Sequence, residues 1–430
     1  MRIIEYPQPS QWAEIVERPH LDVSQLNAVV ESVLADIREQ GDEAVKRYEE
    51  KFDHVALQSL AVSEEEMLEA EALVGDELKE ALRLAHHNIS VFHAEQRFEG
   101  KKIETAAGVV CWQKSSPIEK VGLYIPGGTA PLFSTVLMLA TPAKIAGCKE
   151  IVLCTPPNRE GRVNPAILMA ARIAGVDKIL KIGGVQAIGA MAYGTESVPK
   201  VYKIFGPGNQ FVQMAKQLVS LRDVAIDMPA GPSEVCVVAD ADADPEYVAS
   251  DFLSQAEHGA DSQAILVTDS EALAKKFETV MAAQLELLKR QELTRKSLEH
   301  SKVIVLRDQD EVMDLVNEYA PEHLILNTRN YATLADKVRN AGSVFLGPFS
   351  PESAGDYASG TNHTLPTNGY AKAYNGVNLD SYMRKVTFQE LSADGLRSLG
   401  PIIEVMAQNE QLDAHKNAVT VRLRALQSKV

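Results

Sequence analysis

The sequence predicts an α/β protein with two Rossmann-like parallel-sheet domains, a helical N-terminal segment and a C-terminal helical arm. Its 430 residues exceed what one hydrophobic core usually serves, which favours two or more domains. Between residues 106 and 375, short apolar runs alternate with helical stretches in two successive sets. This alternation is typical of strands and crossover helices in parallel sheets. The flanking segments show helical periodicity instead.

Residues 1–105 form the predicted helical N-terminal segment. Apolar residues recur there at helical spacing, namely Leu26, Val29, Val30, Val33, Leu34 and Ile37. Gly41 is expected to end this helix, and Asp42 can cap the next one. A further charged helical stretch is predicted through residues 64–93.

The first α/β domain is predicted over residues 106–230. Its expected strands are residues 121–126, 151–154, 178–182 and 200–205. Gly127-Gly128 turns the first strand into a helix rich in Leu, Met and Ala. The turns at Gly183-Gly184 and at residues 206–209 could present helix N-termini to phosphate. Neither turn matches a nucleotide-binding motif, so plain chain reversal is the preferred interpretation.

The second α/β domain, which carries the candidate metal and acid–base residues, is predicted over residues 231–375. Its expected strands are residues 235–238, 264–268, 303–306, 324–326 and 343–346. The Pro/Gly-rich residues 228–232 mark the boundary between the two domains. Residues 376–430 are predicted to form the helical arm.

Composition narrows the class of protein. A net charge of −16 argues against a nucleic-acid surface. The four cysteines contain no CxxC pair, fit a reducing compartment and are interpreted as packing residues. The N-terminus shows no apolar signal region, and no apolar run is long enough to span a bilayer. A cytoplasmic protein without a membrane partner is therefore expected.

Gln255 and His258 form the most informative pair. Asp244 and Pro245 suit the start of a helix on which residues three apart share one face. An amide oxygen and an imidazole on that face could hold a divalent metal. The alternative is that His258 only interacts with the dipole at the end of the helix.

Three further candidate functional sites each also have a purely structural explanation. Glu322 and His323 precede an apolar run, where an acid and an imidazole suit proton transfer, although such a pair is usually a solvated strand start. Asp356 lies in the polar, glycine-rich residues 353–363, which we expect to form a loop. It could ligate a metal or hydrogen-bond its own turn. His415 falls on or beside an amphipathic stripe, where a partly buried packing role is the default.

Taken together and in this order, the motifs resemble the histidinol dehydrogenase family. The matching segments are residues 123–128, 205–209, 225–235, 254–263, 320–323, 354–357 and 412–415. They extend over most of the chain. Residues 225–235 (Ala-Ile-Asp-Met-Pro-Ala-Gly-Pro-Ser-Glu-Val), followed by Gln-Ala-Glu-His, are the most specific.

The resemblance implies an NAD-dependent, four-electron oxidation of L-histidinol to L-histidine through L-histidinaldehyde, the last steps of histidine biosynthesis. It also implies a homodimer in which Glu410 and His415 of one chain complete the site of the other. By this resemblance, the catalytic pair is Glu322 and His323. The zinc ligands, for one Zn²⁺ per subunit, are Gln255, His258, Asp356 and His415. The NAD contacts are Tyr124, Gln186 and Asn209. The substrate contacts are Ser233 and Glu410, together with the zinc ligands and the catalytic pair.

Two other functions would use the same residues. A zinc hydrolase would place water at an open metal position, but the chain lacks HExxH and GxSxG. A non-catalytic metal or nucleotide sensor would have no need of the intact Glu322–His323 pair. NAD-independent hydrolysis would favour the first alternative, and zinc binding without NAD reduction would favour the second.

Overall fold

A computed structural model describes residues 1–19, 24–127 and 130–428, and the chain divides into two compact units. The first unit comprises Met1–Gln96 and Ile118–Tyr382, and the second comprises Arg97–Pro117 and Met383–Val430. Gly128, part of a predicted turn, lies outside the described residues. No helix among the described residues is both long and apolar enough to cross a membrane.

The strands are β1 Arg2–Glu5, β2 Ile103–Ala106, β3 Val109–Pro117, β4 Lys120–Tyr124, β5 Glu150–Thr155, β6 Lys178–Lys181, β7 Lys203–Phe205, β8 Ala225–Ile226, β9 Glu234–Ala239, β10 Gln263–Thr268, β11 Lys302–Val305, β12 His323–Asn327, β13 Ser343–Leu346 and β14 Met383–Leu391. The α-helices are α1 Trp12–Ile15, α2 Ser24–Tyr48, α3 Glu64–Leu73, α4 Asp76–Ala94, α5 Phe133–Ala146, α6 Pro165–Ala174, α7 Gly184–Tyr193, α8 Gln210–Ser220, α9 Pro245–Ala256, α10 Glu271–Leu285, α11 Gln291–His300, α12 Gln309–Tyr319, α13 Tyr331–Ala335, α14 Glu352–Tyr357, α15 Ala393–Asn409 and α16 Asp413–Gln427. A π-helical turn, Glu49–Asp53, directly follows α2.

The first parallel sheet has the order β6-β5-β4-β7-β8, so the direction of winding reverses between β4 and β7. Its strands are buried on both faces, as a parallel sheet covered by helices requires. Val121 and Leu123 pack in the core cluster that contains α5 and α6. Val152 and Cys154 pack in the cluster that contains α2, α7 and α8. The predicted strands and the α/β class are confirmed for this part of the chain.

The second parallel sheet has the order β1-β11-β10-β9-β12-β13 and reverses between β9 and β12. Val235 and Val237 pack against α9 and α10, whereas Cys236 and Val238 pack with α12 and Trp12. All five strands predicted here are present. β1 was not predicted, because the short run at Arg2–Glu5 has no partner strand nearby in the sequence and pairs instead with β11.

The second unit contains an antiparallel sheet of order β14-β3-β2, followed in sequence by α15 and α16. The prediction that residues from 376 onward are helical was therefore wrong for Met383–Leu391. This strand is exposed along nearly its whole length. Its alternation of polar and apolar residues is confined to Lys385–Gln389, which is too short to stand out beside the helical patterns that follow.

Gly41 interrupts α2 as predicted, since its φ of 54° and ψ of −131° are not helical. The predicted cap at Asp42 was wrong. The Asp42 carboxylate instead accepts hydrogen bonds from the hydroxyls of Thr195 and Ser197. The side chain of Glu196 accepts a hydrogen bond from the Asp42 N–H at 2.9 Å. A loop distant in sequence therefore supplies the acceptor for an N–H group at the start of the second half of α2.

Candidate active site

Glu322 and His323 lie where β12 begins, beside the start of β9. A carboxylate oxygen of Glu322 accepts from the N–H of Glu234 at 2.9 Å, and His323 Nδ1 lies 3.3 Å from the Glu234 carbonyl oxygen. Both side chains are buried, with only 6% and 3% of their surface exposed. The plain reading of this pair as a solvated strand start was therefore wrong.

The Glu234 side chain anchors this strand start to the N-terminal segment. Its two carboxylate oxygens each accept from the guanidinium of Arg18 at 2.7 Å. The same guanidinium lies 4.1 Å from the ring centroid of Tyr319. A bidentate, largely buried pair of this kind restricts the backbone on which Glu322 and His323 depend.

The polar segment 353–363, expected to be a loop, begins with the short helix α14. Glu352 and Asp356 are four residues apart and so share one face of this helix. His323 Nε2 lies 3.5 Å from an oxygen of Asp356, and His323 Nδ1 lies 3.9 Å from an oxygen of Glu352. One imidazole is thus surrounded by three carboxylates, including that of Glu322 at 3.7 Å.

Burial and mutual charge shift the pKa values of this cluster. Burial raises the pKa of Glu322 to about 8 and that of Glu352 well above its usual range. Burial opposes a charged His323, but the carboxylates of Glu352, Glu322 and Asp356 outweigh it and raise the pKa of the imidazole to about 10. Burial also opposes the charged form of Asp356, yet its neighbour His323 holds the pKa of that carboxyl below its usual range. These raised pKa values keep protons on the cluster near neutral pH. The protons can leave when an added positive charge lowers the pKa values.

His258, Glu352 and Asp356 form a candidate metal cluster, because one potential ligand atom from each lies within 4.8 Å of the others. α9 begins with the predicted cap at Asp244 but ends at Ala256, so His258 lies in the turn after the helix rather than on its face. The His258 side chain is exposed, whereas Glu352 is buried and the Asp356 side chain is only 15% exposed. The cluster therefore reaches solvent through its imidazole.

Gln255 is fully buried at the end of α9, and neither its amide oxygen nor its amide nitrogen has a hydrogen-bond partner among the described residues. Both oxygens of Glu352 are likewise buried and without a hydrogen bond. Buried polar atoms are costly unless they are paired, so these atoms fit a site that receives a cation. Imidazole, carboxylate and amide donors together suit Zn²⁺ and other divalent metals.

Glu352 was not among the candidates chosen from sequence. Its signal was its spacing from Asp356, four residues along the chain, but this becomes informative only when the segment is helical. His363, present in the sequence motif but given no role, also lies here. Its Nδ1 is 2.9 Å from the backbone oxygen of Asp356, and its Nε2 is 3.1 Å from the hydroxyl of Thr135 in α5. The imidazole therefore joins the metal cluster to the first sheet.

Two predicted site residues lie in the second unit. Glu410 follows the last residue of α15, and His415 lies in the first turn of α16. Both side chains are exposed, so the default reading of His415 as a packing residue was wrong. Their contribution to the site of another chain stays a prediction. Ser233, the predicted substrate contact of the first unit, is partly buried immediately before β9.

A cavity of about 1060 Å³ opens at the carboxyl ends of the first sheet's strands, and Tyr124, Gln186 and Asn209 all line it. The Tyr124 hydroxyl accepts from the N–H of Gly184 at 3.1 Å, and the Asn209 side chain caps α8. Protein groups therefore already engage the N–H groups of both glycine turns, as the chain-reversal interpretation predicts. The size and position of the cavity suit a dinucleotide.

The four cysteines are free, and three of them are buried. Burial raises the pKa of the Cys148 thiol to about 12, and the pKa values of Cys154 and Cys236 also lie above their usual range. Thiols of this kind are poor nucleophiles, which supports the packing interpretation.

Comparisons with known proteins agree with this arrangement. A family model described as histidinol dehydrogenase matches residues 16–423. A histidinol dehydrogenase from Bacteroides thetaiotaomicron is 65% identical over 426 residues, covering 99% of this chain and 100% of the relative. One from Escherichia coli K12 is 50% identical over 419 residues, covering 97% and 96%. The crystal structure of histidinol dehydrogenase from Elizabethkingia anophelis superposes with a TM-score of 0.97 at 52% identity, covering 99% of each chain.

Proposed function

The chain belongs to the histidinol dehydrogenase family of oxidoreductases, and from this premise we propose that it oxidises L-histidinol to L-histidine with two equivalents of NAD. The observation that carries the proposal is the buried Glu322–His323 pair beside the cluster of His258, Glu352 and Asp356. Proton acceptors and potential metal ligands then lie within one site. A role in histidine biosynthesis follows from the family.

We propose that His258 and Asp356 hold the metal together with the buried amide oxygen of Gln255 and the partner chain's copy of His415. Bound Zn²⁺ would supply positive charge that orients the imidazole and amine of histidinol. Ser233 and Glu410 would contact the substrate. One carboxylate and three neutral ligands leave this site positively charged, which favours a neutral nitrogen from the substrate.

His323 is the proposed proton acceptor. NAD, bound in the cavity lined by Tyr124, Gln186 and Asn209, would supply the hydride acceptor in both half-reactions. His323 takes the hydroxyl proton of the alcohol. Glu322 then activates the water that adds to L-histidinaldehyde, and His323 takes a proton from the hydrate. We expect the pKa of His323 to fall below about 10 once the charge of the neighbouring carboxylates is compensated.

A second copy of the chain is the proposed partner. Ile402, Val405 and Met406 are 57%, 61% and 61% exposed and lie on one face of α15. Three large apolar side chains left in water at this spacing favour coverage by another chain.

The free cysteines support a cytoplasmic location.

The test is a stoichiometry assay on the purified protein. We expect two NADH for each L-histidine formed from L-histidinol, loss of turnover on removal of metal by a chelator, and recovery on adding Zn²⁺. One NADH per substrate with release of aldehyde would contradict the proposal. Hydrolysis of an ester or amide without NAD would favour a zinc hydrolase instead.

A further inference from the structure

Asp53 lies at the end of the π-helical turn that follows α2, and its carboxylate reaches the edge strand of the first sheet. A Cβ atom built on Gly183, which follows β6, would lie 3.2 Å from a carboxylate oxygen of Asp53. The Asp53 side chain is partly buried and lines the 1060 Å³ cavity. Short π-helical turns are frequent at functional sites.

The amide of Gln186 is fixed by two carboxylates. Its Nε2 donates to Glu49 at 2.8 Å and to Asp53 at 3.2 Å. A flipped amide would place its oxygen against both carboxylates, so this orientation is the stable one. The oxygen of Gln186 is left buried and without a hydrogen-bond partner among the described residues. The amide thus holds the Asp53 carboxylate in place, and this carboxylate is the acceptor that faces the cavity.

Unlike the other acidic residues that line the cavity, Asp53 has no ion pair among the described residues. Glu66 pairs with Lys181 at 3.1 Å, and Glu69 pairs with Arg162 at 2.7 Å. Over the described part of the chain, no cation lies within 4 Å of the Asp53 carboxylate. Burial raises the pKa of Asp53 above its usual range. Hydrogen bonds donated by a ligand would offset the cost of burying the Asp53 carboxylate, whereas a second anion would add repulsion.

The position of Asp53 in the sheet determines which end of a dinucleotide it meets. The redox end must lie near His323, and His363 links that site to Thr135 in α5, the helix that follows β4. Asp53 lies beside the end of β6, two strands away from β4, which corresponds to about 10 Å. The adenosine end of a dinucleotide would therefore lie against Asp53.

We propose that the two carboxylate oxygens of Asp53, held by the Gln186 amide, accept hydrogen bonds from the adenosine ribose hydroxyls and thereby select NAD over NADP. This inference rests on the proposed function of the cavity as the dinucleotide site. A ribose diol offers two donors to two acceptors. The 2′-phosphate of NADP replaces one donor with negative charge directed at a carboxylate. Arg162 also lines the cavity and could attract that phosphate, but its charge is already paired with Glu69.

The test compares wild type with Asp53→Asn, using Glu50→Gln as a matched control on the same π-helical turn. Binding of ADP-ribose and of its 2′-phosphate derivative is measured by calorimetry, and kcat/KM is measured with NAD and with NADP. We expect Asp53→Asn to weaken ADP-ribose binding roughly 10-fold or more and to reduce the preference for NAD by at least as much. Glu50→Gln should leave ADP-ribose binding within roughly 2-fold of wild type, because Glu50 is exposed and is not among the described residues that line the cavity.

Asp53→Glu keeps the carboxylate, and we expect it to retain a preference for NAD even if binding weakens. An unchanged ratio of NAD to NADP affinity in folded Asp53→Asn would overturn the inference, and so would an equal effect from Glu50→Gln. The binding measurements need no histidinol. If ADP-ribose affinity depends on Asp53 but histidinol is not oxidised, the inference about the cavity stands and the proposed function fails.

Discussion

At the scale of single residues, the helical spacing of Glu352 and Asp356 decides how the His323 imidazole is held. Three carboxylates surround one imidazole that is only 3% exposed. Such an arrangement stabilises the imidazolium, which is the form that His323 takes after it accepts a proton from substrate. Because the pKa of His323 is about 10 in this arrangement, the imidazolium is already present at neutral pH, and His323 can accept the substrate's proton only after a bound cation lowers that pKa.

His323→Ala should remove the proton acceptor while leaving the proposed metal ligands in place. We expect histidinol binding, measured by calorimetry, to be retained and the rate of NADH formation to fall roughly 10²-fold or more. His87→Ala is the matched control, because His87 is exposed on α4. Wild-type turnover in His323→Ala would show that another group accepts the proton.

At the scale of elements, the strands and helix ends that their own local sequence specifies were predictable. β4, β5 and β9 are continuous apolar runs, and the cap at Asp244 satisfies the N–H of Glu246 as expected. β1, β2, β3, β8, β14 and α14 were missed because tertiary pairing or packing decides them, and β2 lies almost entirely within the N-terminal segment that was predicted to be helical. α14 matters most, since Glu352 becomes a candidate ligand only when its segment is helical.

Gly206 is the element-scale test, because it turns β7 toward α8 at the edge of the dinucleotide cavity. Its φ is +128°, and a Cβ atom there would lie 2.1 Å from the backbone oxygen of Tyr124. We expect Gly206→Ala to lower the free energy of unfolding by about 3 kcal/mol or more and to weaken NAD binding. Urea denaturation and calorimetry measure the two effects.

Gly75→Ala is the control for that substitution. Gly75 precedes α4 with a φ of −65°, and nothing lies within 4 Å of a Cβ built there. We expect a change of at most about 1 kcal/mol, from the altered helix cap alone, and unchanged NAD binding. Equal losses in the two variants would contradict the steric argument at Gly206.

At the scale of the whole chain, the two parallel sheets have the same order of winding, but their candidate binding and catalytic residues lie at opposite edges. The cavity lies at the carboxyl ends of the first sheet's strands, where α/β folds usually bind ligands. Glu322 and His323 instead lie at the amino edge of the second sheet. The contacts from Asn362 to Met138 and from His363 to Thr135 bring this amino edge beside α5. The sequence already places Glu322 and His323 before an apolar run and the glycine turns after others, so the two opposite edges were predictable. The contacts with α5 were not, because they join residues more than 200 positions apart.

The proposed sharing of sites between chains makes a prediction about mixtures. His258→Ala and His415→Ala chains should each be inactive alone, because each lacks one metal ligand. A heterodimer of the two has one site with neither substitution if His415 acts in the partner's site. With random assembly, half of the dimers are mixed and half of their sites are intact, so roughly a quarter of wild-type activity should return.

The control for this experiment is a mixture of His258→Ala with Asp356→Ala. His258 and Asp356 belong to one metal cluster of a single chain, so neither chain brings an intact set to a heterodimer. No activity should return, although the same dimers form. Recovery here, or none in the first mixture when mass spectrometry shows heterodimers, would mean that His415 does not complete a partner's site. The exposed His415 and the apolar face of α15 would then require a different explanation.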